Sequence, residues 1–274
     1  MSTPITLAGA RILVTGASTG IGRATAERLA QAGAAVTATV RQEADGASLR
    51  AAGCDVAVLD VTDQAAGAAL VQRLEPLDVL INNAGASYRG AIEEGDDAAI
   101  RRIFEVNFFG PCALLRAALP GMRERRRGAI VNVSSISGRL SQPLNGYYPA
   151  TKHALEAVTE ALAYEVQPFN IRVVLIEPGG VKSAFLPNLQ AEPRTYANPA
   201  SPYAPLAQKL AIGAPRGSDP AVVAETIVQA LTAPAPGQLR WPATPDAEEI
   251  LAQRAALDDA AFMRYNTQRL GVDW

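Results

Sequence analysis

Short runs of β-branched residues alternate with longer segments rich in alanine, leucine and arginine along most of the chain. Such alternation is typical of repeated βαβ units, in which helices cover a parallel sheet. The pattern therefore predicts an α/β protein. The predicted strands are Arg11–Thr15, Ala35–Val40, Asp55–Leu59, Leu77–Ile81, Ala129–Ser134 and Ile171–Ile176, with a last strand near Gln238–Trp241.

The segments between these strands are predicted to be helices, several of which follow a capping residue. They begin near Ile21, Asp63, Asp96, Tyr147 and Asp219. Neither a repeat nor a linker divides the chain, so residues 1–274 are predicted to form one domain. An insertion at about residues 184–218 contains many prolines, which argue against one long helix. Because a loop of this length in a compact domain is usually functional, we expect a substrate lid here.

Hydrophobic residues make up 49% of the 274 residues and charged residues 19%, which is typical of a globular protein. The net charge of -2 offers no basic surface for nucleic acid. No uncharged apolar run reaches the roughly 18 residues that a spanning helix needs, and the first residues lack a signal-peptide pattern. Cys54 and Cys112 match neither metal-ligand nor disulfide spacing and are expected to be buried thiols. We therefore expect a cytoplasmic protein with no metal site and no nucleic-acid or membrane partner.

A glycine-rich stretch, Thr15–Gly22, lies directly after the first predicted strand and directly before a helical run. Glycines allow a tight turn and a close backbone approach, so the following helix can present its N–H groups to a pyrophosphate. The stretch predicts a dinucleotide site, although a structural glycine turn would have the same composition.

The spacing G-x-x-x-G-x-G, preceded by threonine, resembles that of the classical short-chain dehydrogenase/reductase family. Further motifs of that family follow in the family's order over residues 8–183, and the later part resembles the branch with hydroxysteroid and retinol dehydrogenase-like members. These motifs are Asp60-Val61, Asn82-Asn83-Ala84-Gly85, Asn107, Ser135, Tyr148 with Lys152, and Pro178-Gly179. The resemblance implies a Rossmann fold, which is a three-layer, doubly wound parallel sheet.

The resemblance also implies which cofactor is bound. The position that is acidic in NAD enzymes of the family falls on Val40, and the basic position of NADP enzymes falls on Arg41. NADP(H) is therefore favoured over NAD(H), unless Arg41 is an ordinary surface arginine. Thr19 weakens the prediction, because many NADP-dependent relatives have a base there. The implied cofactor-binding residues are Gly16, Ser18, Thr19, Gly20, Ile21, Gly22, Arg41, Asp60, Val61, Asn83, Ala84, Gly85, Tyr148, Lys152, Pro178, Gly179, Val181 and Ser183.

Tyr148 and Lys152 are four residues apart, so a helix places them on one face. Carbonyl reduction needs a proton donor, and a tyrosine serves well only if its phenol pKa falls from about 10 toward the working pH. A lysine ammonium nearby can provide that shift. The neighbouring Tyr147 has Thr151 at the same offset, which favours Tyr148 as the acid/base. Pro149 is tolerated if the helix starts at or just before Tyr148.

Ser135 lies thirteen residues before Tyr148, as the active-site serine of the family does, and would hold the substrate oxygen. By strand register alone its serine neighbours are equal candidates, and Ser137 and Phe185 are expected to line the substrate pocket. Asn107 reads by itself as a buried amide, while the resemblance assigns it a water bridge to Lys152.

The only histidine, His153, points about 100° away from the face of Tyr148 and Lys152, and no serine-hydrolase motif accompanies it. The sequence thus predicts an NADP(H)-dependent oxidoreductase that interconverts a carbonyl and a secondary alcohol on a hydrophobic substrate. The alternative is a non-catalytic, dinucleotide-binding regulator with the same fold. The resemblance implies a homodimer or homotetramer.

Overall fold

Seven parallel strands form the centre of the protein, in the order β3-β2-β1-β4-β5-β6-β7. The computed structural model describes residues 3–182, 198–210, 217–234 and 237–272. The predicted α/β class is confirmed, and all seven strands begin and end within two residues of their predicted bounds. The strands are β1 Arg11–Val14, β2 Ala35–Val40, β3 Asp55–Val58, β4 Val79–Asn82, β5 Gly128–Val133, β6 Ile171–Glu177 and β7 Arg240–Pro242.

Helices connect the strands, and several begin where aspartate caps them. The carboxylates of Asp63 and Asp96 accept hydrogen bonds from backbone N–H groups in the first turns of their helices, at 2.9 and 2.7 Å. The described helices are α1 Gly20–Gln31, α2 Ala47–Ala51, α3 Gln64–Arg73, α4 Asp97–Phe104, α5 Gly110–Arg125, α6 Tyr147–Val166, α7 Ala204–Lys209, α8 Pro220–Thr232, α9 Pro245–Ala256 and α10 Asp259–Arg269. The last two, α9 and α10, were not predicted. None of the helices described is long and apolar enough to cross a membrane.

The sheet is buried on both faces because side chains alternate between two apolar layers. In β1, Ile12 and Val14 belong to one layer, which also contains residues of α1 and α8. Leu13 points into the opposite layer, which contains residues of α3, α5 and α6. The helices therefore cover both faces, and the carboxyl ends of the strands form one open edge.

The strand order reverses beside β1, which pairs with β2 on one side and with β4 on the other. Ile12 is in register with both Val36 and Val79. In open parallel sheets, ligands bind in the crevice at such a reversal, outside the carboxyl ends of the strands. The glycine loop, Asp60-Val61, Asn83-Ala84-Gly85, Ser135 and Pro178-Gly179 each follow a strand and so reach this edge.

Part of the predicted insertion lies against the loop that follows β4. Ala207 of α7 is buried with Ala91 and Leu144, and the Ser201 hydroxyl donates to Glu94 Oε1 at 2.6 Å. Ser183 and Phe185, which were predicted to contact cofactor and substrate, lie outside the described residues.

Candidate active site

Two glycines of the loop after β1 leave no room for a side chain. Gly16 has a φ of +66°, and a Cβ there would lie 2.7 Å from the Ala84 Cα. A Cβ on Gly22 would collide with the Asn83 amide and the Gly16 carbonyl oxygen. The loops after β1 and β4 therefore contact each other directly.

Thr15 and Asn83 lock these two loops together. The Thr15 hydroxyl oxygen accepts hydrogen bonds from the backbone N–H groups of Asn83 and Ala84, at 3.0 and 3.1 Å. The Asn83 amide nitrogen donates to the carbonyl oxygens of Thr15 and Gly16, at 2.8 and 3.1 Å. The side chain of Asn83 is thus structural, while the adjoining Ala84 and exposed Gly85 remain beside the crevice.

Helix α1 starts at this loop, and its N-terminus suits an anion. Its N-cap, Thr19, is exposed and makes no side-chain capping bond, and the first turn has no acidic residue. The Arg23 guanidinium donates to the Ser18 carbonyl oxygen at 2.5 Å, which adds positive charge beside the loop. Free N–H groups and the positive end of the helix dipole fit the pyrophosphate of a dinucleotide.

The residues after β2 and β3 lie beside the same crevice. Val40 is buried, whereas Arg41 is exposed and free to reach a ligand. Asp60 is exposed, and its Oδ1 accepts from the Thr62 N–H and hydroxyl at 3.0 and 2.8 Å. These bonds, with smaller contributions from the charges of Arg102 and Arg41, hold the pKa of Asp60 below its usual range. Val61, which follows Asp60, is buried.

Ser135 and Tyr148 meet at the end of β5. Tyr148, in the first turn of α6, is 9% exposed, and its phenol interacts with the Ser135 side chain. The Ser135 oxygen also accepts from the Ser137 N–H at 3.1 Å and can donate to the Pro178 carbonyl oxygen at 3.4 Å. The structure therefore brings together the serine and tyrosine that the spacing selected. Ser137 itself is buried.

Lys152 lies one turn further along α6 and is 4% exposed. Its ammonium donates to the Val133 carbonyl oxygen at 2.9 Å and lies 5.9 Å from the centre of the Tyr148 ring. Burial lowers the pKa of Lys152 to about 8, against an opposing effect of Glu156. Burial also raises the pKa of Tyr148 to about 12, although the Ser135 side chain opposes this. The phenol pKa thus lies above its ordinary value, opposite to the expected direction, because burial outweighs the favourable neighbours.

Asn107 belongs to a π-helical turn, Glu105–Phe109, between α4 and α5. It is 1% exposed. Its Oδ1 accepts from the Ala86 N–H at 2.8 Å, and its Nδ2 donates to the Ala86 carbonyl oxygen at 2.8 Å and to the Thr151 hydroxyl at 2.9 Å. Both amide hydrogens are therefore used within the protein. The side chain ties α6 to the loop after β4, and the water bridge to Lys152 stays a prediction.

The other polar residues at the start of α6 have structural partners. The Tyr147 hydroxyl donates to the Ile92 carbonyl oxygen at 2.8 Å. The exposed His153 places Nδ1 2.9 Å from the Pro149 carbonyl oxygen. Since α6 begins at Tyr147, Pro149 lies in its first turn, as the sequence predicted.

Helix α9, which the sequence reasoning missed, holds the loop after β6. The Gly179 N–H donates to the Thr244 hydroxyl at 2.9 Å, and the Gly180 N–H donates to Asp246 Oδ2 at 2.8 Å. Val181 pairs with Ser218 in an isolated bridge. A threonine before Pro245 and an acidic first turn are a helix-start signal that could have identified this element.

A buried group of charges lies behind Lys152 and was also missed. Glu156 Oε2 pairs with Arg240 Nε at 3.0 Å, and Glu177 Oε1 lies 3.5 Å from Arg139 Nη1. Burial, with the charge of Glu156, raises the pKa of Glu177 to about 7. The spacing of four residues from Lys152 to Glu156 was the available signal.

Comparison with known proteins identifies the family. The family model described as short chain dehydrogenase matches residues 10–194. The chain belongs to that family. It is 39% identical to a 3-ketodihydrosphingosine reductase from Bacteroides thetaiotaomicron over 181 residues, which are 65% of this chain. It is 40% identical to the mouse dehydrogenase/reductase SDR family member 7B over 187 residues, which are 63% of this chain. The matches span 66% and 58% of the lengths of these relatives.

Solved structures share the fold along almost the whole chain. A short-chain dehydrogenase from Streptomyces avermitilis has a TM-score of 0.80 and 37% identity, with 97% of this chain and 98% of that chain covered. Two further short-chain dehydrogenases, each 26% identical to this chain, were solved with a cofactor. The one from Burkholderia phymatum is in complex with NAD and has a TM-score of 0.79, with 98% of this chain and 97% of that chain covered. The one from Burkholderia cenocepacia is in complex with NADP and has a TM-score of 0.76, with 98% of this chain and 100% of that chain covered. These neighbours support a nicotinamide dinucleotide as the cofactor of this oxidoreductase family.

Proposed function

We propose that the protein is an NADP(H)-dependent oxidoreductase that interconverts a carbonyl and a secondary alcohol on a hydrophobic substrate, with Tyr148 as the acid/base. The observation that carries this proposal is that the side chains of Ser135 and Tyr148 interact at the end of β5, where the Ser135 side chain acts to lower the pKa of the phenol. The pair lies at the carboxyl edge of the sheet, next to a glycine loop that suits a dinucleotide.

The side chains have distinct roles in this reaction. The Tyr148 phenol gives its proton to the substrate oxygen during reduction, and the Ser135 hydroxyl stabilises the charge that builds on that oxygen. Lys152, held by the Val133 carbonyl oxygen, stabilises the phenolate that remains. Asn107 positions α6 through Thr151. The dinucleotide, when bound, would supply or accept the hydride.

The substrate class rests on two further observations. The relative from Bacteroides thetaiotaomicron is named as the reductase of a ketone. The described part of the insertion presents an apolar group beside the loop after β4, with Tyr203, Leu206 and Leu210 packed against Ala91 and Leu144. Both support a hydrophobic carbonyl compound. The lid, the homodimer or homotetramer and the cytoplasmic location stay predictions.

The proposal is tested by following NADPH oxidation with a panel of ketones of increasing hydrophobic length. We expect turnover by the wild-type protein and a loss of about a hundredfold or more in Tyr148→Phe. Binding of NADPH, followed by its fluorescence, is expected to survive in the variant. If the wild-type protein binds NADPH and reduces no member of the panel, the protein is a dinucleotide-binding regulator instead.

A further inference from the structure

Three charged residues lie along one face of α6, each four residues from the next: Lys152, Glu156 and Glu160. Lys152 and Glu156 are each 4% exposed, whereas Glu160 lies nearer the surface. A buried ammonium or carboxylate is costly unless an opposite charge accompanies it. The buried Lys152 ammonium therefore needs a negative charge nearby.

Arg240 of the edge strand β7 holds both glutamates of this face. Its Nε lies 3.0 Å from Glu156 Oε2, and its Nη2 lies 2.7 Å from Glu160 Oε2. One arginine thus fixes two carboxylates one turn apart. Only the inner one is buried next to Lys152.

The second oxygen of Glu156 points toward the strand end that carries the active site. Oε1 is buried and has no hydrogen-bond partner among the described residues, as is also true of the Ser134 hydroxyl. Both atoms border the space above Gly138, where a Cβ would lie 3.1 Å from Glu156 Oε1 and 2.7 Å from Ser134 Oγ. Ser134 follows Val133, whose carbonyl oxygen receives the Lys152 ammonium. The carboxylate and the ammonium therefore lie beside consecutive residues at the end of β5.

We propose that Glu156 is a positioning residue that supplies the counter-charge for the buried Lys152 ammonium, and that Arg240 holds its carboxylate in place. This inference rests on the proposed function, because Lys152 acts there as a cation. It assigns a role to a residue outside the four that the family motifs select.

The surrounding charges come from four elements. On α6, Tyr148 and Glu160 flank the pair. Glu177 ends β6, and Arg139 follows the 3₁₀ turn at Ile136–Gly138. Arg240 belongs to β7. Among the described residues, Glu156 is the group whose charge opposes the effect of burial on the pKa of Lys152.

The first experiment measures the pH profile of ketone reduction in Glu156→Gln. In this direction the Tyr148 phenol stays protonated up to its high pKa, so the loss of rate at alkaline pH follows deprotonation of Lys152. Without the carboxylate, that alkaline limb is expected to move down by about one pH unit, which lowers kcat at about pH 8 roughly fivefold. Glu156→Asp, which keeps the charge, is expected to restore most of the shift.

Glu160→Gln is the matched control, because it removes the other carboxylate that Arg240 holds. Its alkaline limb is expected to stay where it is in the wild-type protein. An unchanged limb in Glu156→Gln, or an equal shift in both variants, would overturn the proposal. A merely structural loss would lower kcat at every pH without moving the limb.

A second readout does not depend on activity. The chain has three lysines, Lys152, Lys182 and Lys209. An NMR titration of ¹³C-labelled lysine side chains follows each ammonium directly, and the signal missing in Lys152→Arg identifies Lys152. We expect Glu156→Gln to lower the midpoint of that signal alone. If the protein reduces no ketone but gives this shift, the proposed function is disproved and the pairing of Glu156 with Lys152 is retained. An unmoved midpoint would disprove that pairing.

Discussion

At the scale of single residues, the site depends on buried polar groups, among them Tyr148 and Lys152. Tyr148 and Lys152 could be selected from the sequence because helical spacing places them on one face, whereas Ser135 could be selected only because its interval to Tyr148 resembles that of the family. The raised pKa of Tyr148 could not be predicted from the sequence, since it follows from burial of the phenol in the folded protein. The same holds for Asn83 and Asn107, whose partners are far away in the chain.

Gly16 gives a prediction that separates backbone strain from crowding. Gly16→Ala places a Cβ 2.7 Å from the Ala84 Cα at a φ of +66°. Gly9 has a similar φ of +75° with nothing within 4 Å of its missing Cβ. We expect Gly9→Ala to cost about 1 kcal/mol of unfolding free energy, and Gly16→Ala to cost more and to abolish NADPH binding.

Urea unfolding and NADPH fluorescence titration measure these two effects. Equal costs in the two variants, with NADPH affinity intact in Gly16→Ala, would show that the loops after β1 and β4 tolerate separation.

Arg41 gives a prediction about cofactor choice. The side chain is exposed at the end of β2, where a guanidinium can bind the extra phosphate of NADP. Arg41→Ala is expected to weaken NADPH binding roughly tenfold or more and to leave NADH binding nearly unchanged. Parallel titrations with both cofactors measure this. A similar loss for both cofactors would contradict the preference for NADP(H).

At the scale of elements, the hydrophobic pattern predicted strands well because a strand buried on both faces reads as an uninterrupted apolar run. The predicted start of β4 at Leu77 was two residues early. The Asp78 N–H already donates to the Arg11 carbonyl oxygen at 2.9 Å, and the Asp78 carboxylate accepts from the Arg11 N–H at 3.0 Å, directly before the strand begins. Helices α9 and α10 were missed because the predicted last strand was taken to complete the fold, although Pro245 and Asp258 mark their starts.

The first turn of α6 gives the next prediction. Pro149 lies where a backbone N–H would have no partner inside the helix, so the proline removes no helical hydrogen bond. Pro149→Ser is therefore expected to leave turnover and the unfolding free energy nearly unchanged. Steady-state kinetics with a reduced ketone measure the first and urea unfolding the second. A large loss of turnover would mean that the ring itself positions Tyr148.

At the scale of the whole molecule, the buried charges connect β6, β7 and α6 and make stability depend on pH. Glu177 is 1% exposed, and its pKa is raised to about 7. A carboxyl group whose pKa is raised by folding stabilises the protein while it is protonated, and that stability is lost as the pH rises through the folded pKa.

Glu177→Gln removes this titration. Between about pH 5 and pH 8, the wild-type protein is expected to lose roughly 2 to 3 kcal/mol of unfolding free energy relative to the variant. Urea unfolding at both pH values measures the difference, and Glu160→Gln, whose carboxylate lies nearer the surface, is the control. A difference that is the same at both pH values would contradict the buried, protonated state of Glu177.

The reversal of strand order beside β1 also bears on how the chain folds during its synthesis. The first three strands can pair as soon as they leave the ribosome, but the other edge of β1 is covered only by β4. Arg11 and Asp78, which bond across that junction, are 67 positions apart. Until this later segment emerges, the nascent half-sheet has an open, apolar edge that can pair with another chain. The strand that defines the ligand crevice is thus also the one most exposed to aggregation before the fold is complete.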